Sequence, residues 1–402
     1  MAMQRSAAVI GGSLGGLFAA NLLLRAGWDV HVYERAAEEL EGRGAGIVTH
    51  PELFDVLRDA GVVVDDSLGV KVTQRVTLDH SGHRLAECEL PQTLTAWSRL
   101  YSALRTALPD SRYHTGKQLV AFSDDGAAVH ARFSDGQAVR ADLLVAADGI
   151  RSTIRQHLLP QVKPMYAGYL AWRGLVEESA LSAQALRDVF PYFAFGLPAQ
   201  EQMIAYPVAG ANNAVAPGRR RYNFVWYRPA SQAQLTDMLT DGDGKVWPEG
   251  IPPPLIRTEV LDGARQAARA VLAPQFAEVV EKTGALLFQP IYDLESPQLA
   301  FGRIALIGDA AFVARPHCGM GVTKAAADAA ALADALASPG DDIAAGLRRF
   351  ESQRLAFGAR VVGHARELGA YLEATAQGRD NSAQAHDRSP KNVMLRTAVP
   401  MT

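Results

Sequence analysis

Three short stretches rich in glycine and aspartate stand at the start, in the middle and near the end of the chain, each closing an apolar run of strand character. They are Gly11-Gly12-Ser13-Leu14-Gly15-Gly16, Asp142-Leu143-Leu144-Val145-Ala146-Ala147-Asp148-Gly149 and Ile307-Gly308-Asp309-Ala310-Ala311. Strands that end in glycine can release the chain into tight turns, and parallel strands ending on one edge leave a crevice there. A chain with three such endings so far apart is committed to a sheet gathered from its whole length. The three stretches read as pieces of one site.

The first stretch sits in a recognisable unit. Residues 6–10 form a short apolar run with β-branched residues at its end, residues 17–27 have helical character, and residues 29–33 begin a second strand. Gly27 suits the left-handed position that closes a helix. In such a βαβ unit the glycines let the backbone approach a pyrophosphate, whose charge meets the amides and dipole of the helix N-terminus. Glu34, at the end of the second strand, is placed to accept hydrogen bonds from ribose hydroxyls. Ser13 departs from the pattern, because it puts a side chain where a second glycine would allow the closest approach. A tight turn without ligand is the plainer reading of the glycines, and the strand, helix and acid in order argue against it. This unit alone leaves NAD and FAD both open.

The other two stretches add to it. Residues 142–147 have a buried-strand pattern that ends in Asp148-Gly149, and the helix that follows carries Ser152 and Arg155 on its first turns. Residues 303–307 form another strand, followed by Gly308-Asp309, a loop through Arg315-Pro316-His317-Cys318-Gly319-Met320-Gly321, and an alanine-rich helix over about 322–336. Asp309, at a strand's carboxyl end, is placed to bind a polyol, and the amides opening the next helix to hold a polarised carbonyl.

With these three motifs in this order, residues 6 to 375 resemble the class A FAD-dependent aromatic hydroxylases, the family of para-hydroxybenzoate hydroxylase. Short segments resemble the branch that hydroxylates 2,6-dihydroxypyridine at carbon 3. They are Gly46-Ile47-Val48 with Pro51-Glu52-Leu53, Tyr166-Ala167-Gly168-Tyr169 leading to Trp172-Arg173-Gly174, Ile204-Ala205-Tyr206-Pro207, and Arg315-Pro316-His317. Many members carry His directly after Gly-Asp-Ala-Ala, where this chain has Phe312. The resemblance implies that Gly11, Ser13, Leu14, Gly16, Glu34 and Arg35 meet the ADP half of FAD. Asp309 would hold the ribityl chain, and Pro316, Gly319, Gly321 and Val322 the flavin ring. Asp148 would serve FAD and NAD(P)H, Arg43 and Arg99 the phosphates, and Gly46 and Ile47 the flavin's flank. It also implies oxygen transfer through a flavin C4a-hydroperoxide, with NADH or NADPH and dioxygen as co-substrates.

The fold expected is α/β plus β: a Rossmann-like FAD-binding domain of the GR2 type with an inserted, mostly antiparallel β-sheet substrate domain. The first takes residues 1–75, 98–165 and 290–375, the second 76–97 and 166–289, and 376–402 form a polar tail without periodicity. In the inserted part, strand-like runs carry alternating aromatics such as Tyr222, Phe224 and Trp226, most of which should fill a core. Tyr206 and His317 are the candidate catalytic residues, as a substrate contact and as a base for a ring hydroxyl.

Bulk properties narrow the partners. Of 402 residues 48% are hydrophobic and 21% charged, with a formal net charge of −3, and the one short basic run, Arg219-Arg220-Arg221, opens a strand. Nucleic acid is thereby an unfavoured partner. Two cysteines without ligand spacing exclude a disulfide framework and a metal site, and no apolar run is long enough for a membrane helix. The expectation is a cytoplasmic enzyme acting on a small aromatic ring, with a homodimer as candidate assembly. The same residues would serve a flavin dehydrogenase or reductase without oxygen insertion, or a non-enzymatic FAD-binding regulator.

Overall fold

The computed structural model describes residues 4–38, 40, 46–337, 342–376 and 388–401. A six-stranded sheet runs in the order Ala300–Phe301, Ile304–Leu306, Leu143–Ala146, Ser6–Ile10, Asp29–Tyr33, Tyr113–His114, and all its pairings are parallel except at the first edge. Its strands are short and almost wholly apolar because both faces are covered. Helix Leu14–Arg25 and helix Gly321–Ala335 pack together over it, with Leu17, Phe18, Ala326 and Ala329 fully buried. A three-stranded sheet, Leu119–Asp124, Val129–Phe133 and Ala138–Ala141, joins the same core.

The three motifs meet on one seam at the strands' carboxyl ends. Gly11 N donates to Tyr33 O at 2.9 Å, Ala147 N to Ile10 O at 2.9 Å, and Ile307 N to Ala146 O at 3.0 Å. Gly11 has φ +105, and a Cβ there would stand 2.4 Å from Ala147 O. At Gly16 a Cβ would stand 1.9 Å from Gly11 O, so the helix can lie this close to the turn only with hydrogen at that place.

A nine-stranded sheet makes the second layer. Its order is Phe312–Val313, Leu287–Glu295, Met165–Glu177, Arg221–Pro229, Gln202–Val208, Phe193–Gly196, Val70–Leu78, Arg84–Ala96, Gly46–Val48. Every pairing is antiparallel except that of Phe193–Gly196 with Val70–Leu78. Sheet membership does not follow the boundaries expected at 75 and 290, since strands Val70–Leu78 and Leu287–Glu295 run across them and Gly46–Val48 joins from further upstream. The reason is pairing: a strand is held by its neighbours' backbones, whatever segment of sequence it comes from.

The strand period of two sorts this sheet's residues. Leu170, Trp172, Met203, Ala205, Tyr222, Phe224 and Trp226 face a layer of helices that includes Thr258–Val271 and Pro274–Glu281. These two helices are separate because Pro274 starts a new one. Tyr169, Ala171, Ile204, Tyr206, Val225 and Tyr227 lie on the opposite face, toward the first sheet. Helix Ile343–Ala376 contributes Leu347 and Phe350 to one core and Leu372 to the other.

The end of the chain departs from the expected tail. Helix Pro390–Arg396, capped by Ser389, packs with Met394 fully buried, and Ala398 is 3% exposed. A short helix needs no long periodic pattern when tertiary packing supplies its stability. Among the described residues no helix is long and apolar enough to cross a membrane.

Replacing Gly16 by Ala forces a methyl into Gly11 O, a misfit of overpacking size. The expected loss is about 1–3 kcal/mol of stability, read as a lower urea midpoint at unchanged slope.

Candidate active site

A cavity of about 790 Å³ opens between the seam of the first sheet and the inner face of the second. That volume lies within the roughly 300–1,000 Å³ common for small-molecule clefts. All three motifs reach it: Ser13, Leu14 and Gly15 from the first, Ala147 and Gly149 from the second, Ile307, Gly308 and Asp309 from the third. The loop and helix after the third add Pro316, His317, Gly319, Gly321 and Val322, and the facing segments add Gly46, Ile47, Arg173, Tyr206 and Tyr227.

Two glycines there have no reason within the protein. A Cβ at Gly321 would meet nothing within 4 Å, and one at Gly15 would meet only Ala325 Cβ at an ordinary 3.7 Å; neither needs a left-handed backbone. Both sit at helix openings on the cavity, where a pyrophosphate or a flavin carbonyl would fill that space and meet free amides. The cradle therefore fits FAD.

Other expected residues brace the site instead of lining it. Glu34 is buried, its carboxylate accepting from Gly12 N at 2.7 Å and Ala36 N at 2.9 Å, while Tyr113 OH donates to Gly12 O at 3.1 Å. Gly11 and Gly16 hold the turn. Asp148 lies outside the cavity lining; burial pushes its carboxyl up, and it accepts from Ile154 N at 3.4 Å. Arg155, also buried, donates to Ala310 O at 3.1 Å and to Ile150 O, which ties the middle motif to the late one. Arg35 is exposed beyond the second strand. Arg99, expected at the phosphates, donates to Ser67 Oγ at 2.8 Å, since its helix turns that face toward the Asp66–Leu68 turn, and it is not part of the cavity lining. Arg43 lies outside the described residues.

Asp309 is open to the cavity over half of its side chain, with protein packed around its other sides. That surrounding pushes its carboxyl up, Lys324 draws it down, and Asp328 pushes it up. Lys324 is fully buried, 3.9 Å from Asp309 and 3.7 Å from Asp328, and its ammonium has no hydrogen bond. Asp328 in turn accepts from Gly308 N at 3.0 Å and Arg354 Nε at 2.8 Å. Nothing in the sequence motif singled out Lys324; it lies one helical turn before Asp328, a spacing that brings both under Asp309.

The two candidate catalytic residues take unequal places. Tyr206 is 4% exposed and stacks on Phe193 at 5.0 Å, and burial pushes its phenol well above the ordinary range while Arg173 pulls the other way. Tyr227 beside it is shifted in the same direction, again by burial against the pull of Arg173. Both phenols are neutral hydrogen-bonding groups near neutral pH. Arg173 lines the cavity with no acidic partner among the described residues, and its Nε is unpaired. Arg173 and Tyr227 are the site residues that motif reading passed over; alternation along their strands from Tyr169 and Val225 would have put them on the inner face.

His317, expected as a base, is held inside the core at the cavity's edge. It is 1% exposed, its Nε2 lies 3.0 Å from Tyr169 OH, and Tyr227 stands 4.0 Å from its ring. Burial, reinforced by Arg315 and then Arg388, lowers its pKa to about 3. An imidazole held so far down is neutral and a weak proton acceptor. Arg315 is paired with Asp293 at 2.8 Å and Glu373 at 2.7 Å, and burial, the larger effect, pushes the Tyr169 phenol up against the pull of Arg315, so Tyr169 stays protonated beside His317 Nε2.

Comparison with known proteins agrees with this geometry. The models of an FAD binding domain-like region and an FAD binding domain match residues 166–293 and 293–365. The 2,6-dihydroxypyridine 3-monooxygenase of Paenarthrobacter nicotinovorans is 33% identical over 91% of each chain, and the 6-hydroxynicotinate 3-monooxygenase of Bordetella bronchiseptica is 30% identical over 88% of each. The solved structure of 2,6-dihydroxypyridine-3-hydroxylase from Arthrobacter nicotinovorans superposes with a TM-score of 0.89 at 30% identity, covering 100% of this chain and 98% of that one. Klebsiella pneumoniae HpxO complexed with FAD and uric acid shares the fold, with a TM-score of 0.72 at 22% identity and 97% of each chain covered.

Lys324→Met is expected to lower FAD retention roughly tenfold, the size of one lost charge-assisted contact. The deficit should deepen as pH falls, because Asp309 then protonates earlier; flavin absorbance after gel filtration reads both. His317 makes a second pH effect. Its folded pKa of about 3 lies below the unfolded value, so its contribution to stability is complete above about pH 6.5 and is lost at up to about 1.4 kcal/mol per unit as pH falls. His50, lowered to about 4 chiefly by burial, adds a like slope. Denaturation midpoints between pH 5 and 6.5 should fall less steeply in His317→Gln than in the parent.

Proposed function

The chain belongs to the class A FAD-dependent aromatic hydroxylases, and from that membership we propose that it inserts one oxygen atom into a hydroxylated N-heteroaromatic ring of the 2,6-dihydroxypyridine kind. The stoichiometry is ring C–H, dioxygen, NAD(P)H and a proton giving ring C–OH, water and NAD(P)+. Bound FAD supplies the transfer of electrons to dioxygen and the electrophilic oxygen. Asp309, the amides at Gly15 and Gly321, and the flank of Gly46 and Ile47, all on the cavity, would hold it.

The observation that carries the substrate side is Arg173, a cation on the sheet wall of the cavity without an acidic partner among the described residues, where the neighbouring Tyr206 and Tyr227 are neutral phenols. A ring whose hydroxyl has given its proton to solvent on entry supplies the missing anion. Charge on that oxygen raises electron density at the neighbouring carbon, the atom that must attack. The two phenols donate to ring oxygen or nitrogen and fix its angle. His317 holds Tyr169 through its neutral ring and takes no proton. Phe193, Ile204, Val225 and Ile291 form apolar walls that keep water from the reacting carbon.

The named relatives are monooxygenases, which favours oxygen insertion over a dehydrogenase or a regulator. A cytoplasmic location, where NAD(P)H is supplied, and assembly as a homodimer belong to the same reading; light scattering tests the latter.

The test is oxidation of NADH and of NADPH by the FAD-loaded protein with hydroxypyridines under isotope-labelled dioxygen. One labelled oxygen in the ring per coenzyme consumed supports the reading, and labelled hydrogen peroxide alone from every ring refutes it. Arg173→Met is expected to raise KM by about 10- to 100-fold, the loss of one charge-assisted contact, with Arg173→Lys intermediate.

A further inference from the structure

The last described residues stand against the active-site cavity. Ala398 lines it together with His317, Gly319, Val48 and Phe193. It has a left-handed backbone, φ 51, at the point where the chain leaves helix Pro390–Arg396. A Cβ at Gly319 would come within 2.9 Å of Ala398 Cβ, so the loop after the late motif and the C-terminal segment are in direct contact.

Three groups fix that point. Ala398 N donates to His317 O at 2.9 Å, and Gln92 Nε2 donates to Ala398 O at 2.8 Å. Arg75 does the rest: its guanidinium donates to the carbonyls of Met394, Thr397 (2.6 Å) and Ala398 (3.0 Å), and to Gln92 Oε1. Arg75 is fully buried over the Phe193 ring at 4.5 Å and has no carboxylate partner among the described residues. Placing an unpaired cation in a core is costly, and apolar packing would suffice to cover a chain end. Directed bonds to three carbonyls within five residues do something packing does not, which is to set the position of one short backbone segment.

We propose that residues 394–398 are a fixed wall of the ring pocket and that Arg75 is their positioning residue, setting the size of ring admitted and excluding water from it. This rests on the ring-hydroxylating reading above. The expected consequence is a preference for hydroxypyridines over bicyclic hydroxyquinolines, which the wall would crowd.

The experiment uses full-length, FAD-loaded Arg75→Met beside the parent. Hydrogen exchange in the 389–401 peptide should rise at least about tenfold while FAD content stays unchanged. Iodide quenching of flavin fluorescence, which needs no turnover, should increase. With hydroxypyridine the ratio of product to NAD(P)H should fall as hydrogen peroxide replaces it, and kcat/KM for hydroxyquinoline relative to hydroxypyridine should rise about tenfold. Faster exchange with quenching, coupling and ring preference all unchanged would overturn the proposal, leaving an anchor remote from the ring. If Arg75→Met loses FAD or folded structure, Ala398→Leu decides, since it leaves the clamp and narrows the pocket. A hydroxypyridine KM raised about tenfold supports the wall, and an unchanged KM overturns it. A parent that oxidises no ring at all would refute the hydroxylase reading, while iodide quenching would still report on the wall.

Discussion

Everything in the active site hangs on the close passage of Gly11 beneath Ala147, where three strand ends are joined by consecutive backbone hydrogen bonds. That contact leaves no room for a single added carbon. It also sets the direction in which helices Leu14–Arg25 and Gly321–Ala335 leave the sheet, so that both open toward the same cavity. The charged groups beneath, Lys324, Asp328 and Arg354, then hold Asp309 and Gly308 at a defined height above the core.

The opposite wall obeys a different constraint, the alternation of a pleated sheet covered on both faces. One face spends its aromatics on packing against helices, and the other presents Tyr206 and Tyr227 to the cavity with Tyr169 buried behind them. Burial keeps these phenols protonated and His317 neutral, so Arg173 is the group that confers sign on the wall. Charge on the sheet side of the pocket is thus concentrated in Arg173, in a setting where apolar neighbours strengthen its field.

The sequence made the parallel half legible because its motifs are local: a strand, a glycine turn and a helix are contiguous, and Glu34 lies at a fixed distance from Gly11. The family, the two-layer architecture and the lining by Ser13, Asp309, Gly319 and Gly321 were all within reach of that grammar. Roles that depend on the surroundings were not. His317 looks like a base in a string of residues and ceases to be one when Arg315 and the core close around it. Arg99 could be matched to a phosphate contact only until its helix was oriented. Arg75 and the segment it holds are more than three hundred residues apart, and no short-range pattern announces such a pairing.

The order of strands also bears on how the chain comes into being. Leu143–Ala146 is a central strand, yet its neighbour on one side, Ile304–Leu306, is synthesised 158 residues after Ala146 (304 − 146). At about 5–20 residues per second, a ribosome needs roughly 8–30 s to cover that interval. Throughout it, a four-residue apolar strand stands at an open sheet edge, the kind of surface that recruits chaperones or another nascent copy. The nucleotide crevice is therefore closed only once Ile304–Leu306 has emerged, long after Gly11 was made.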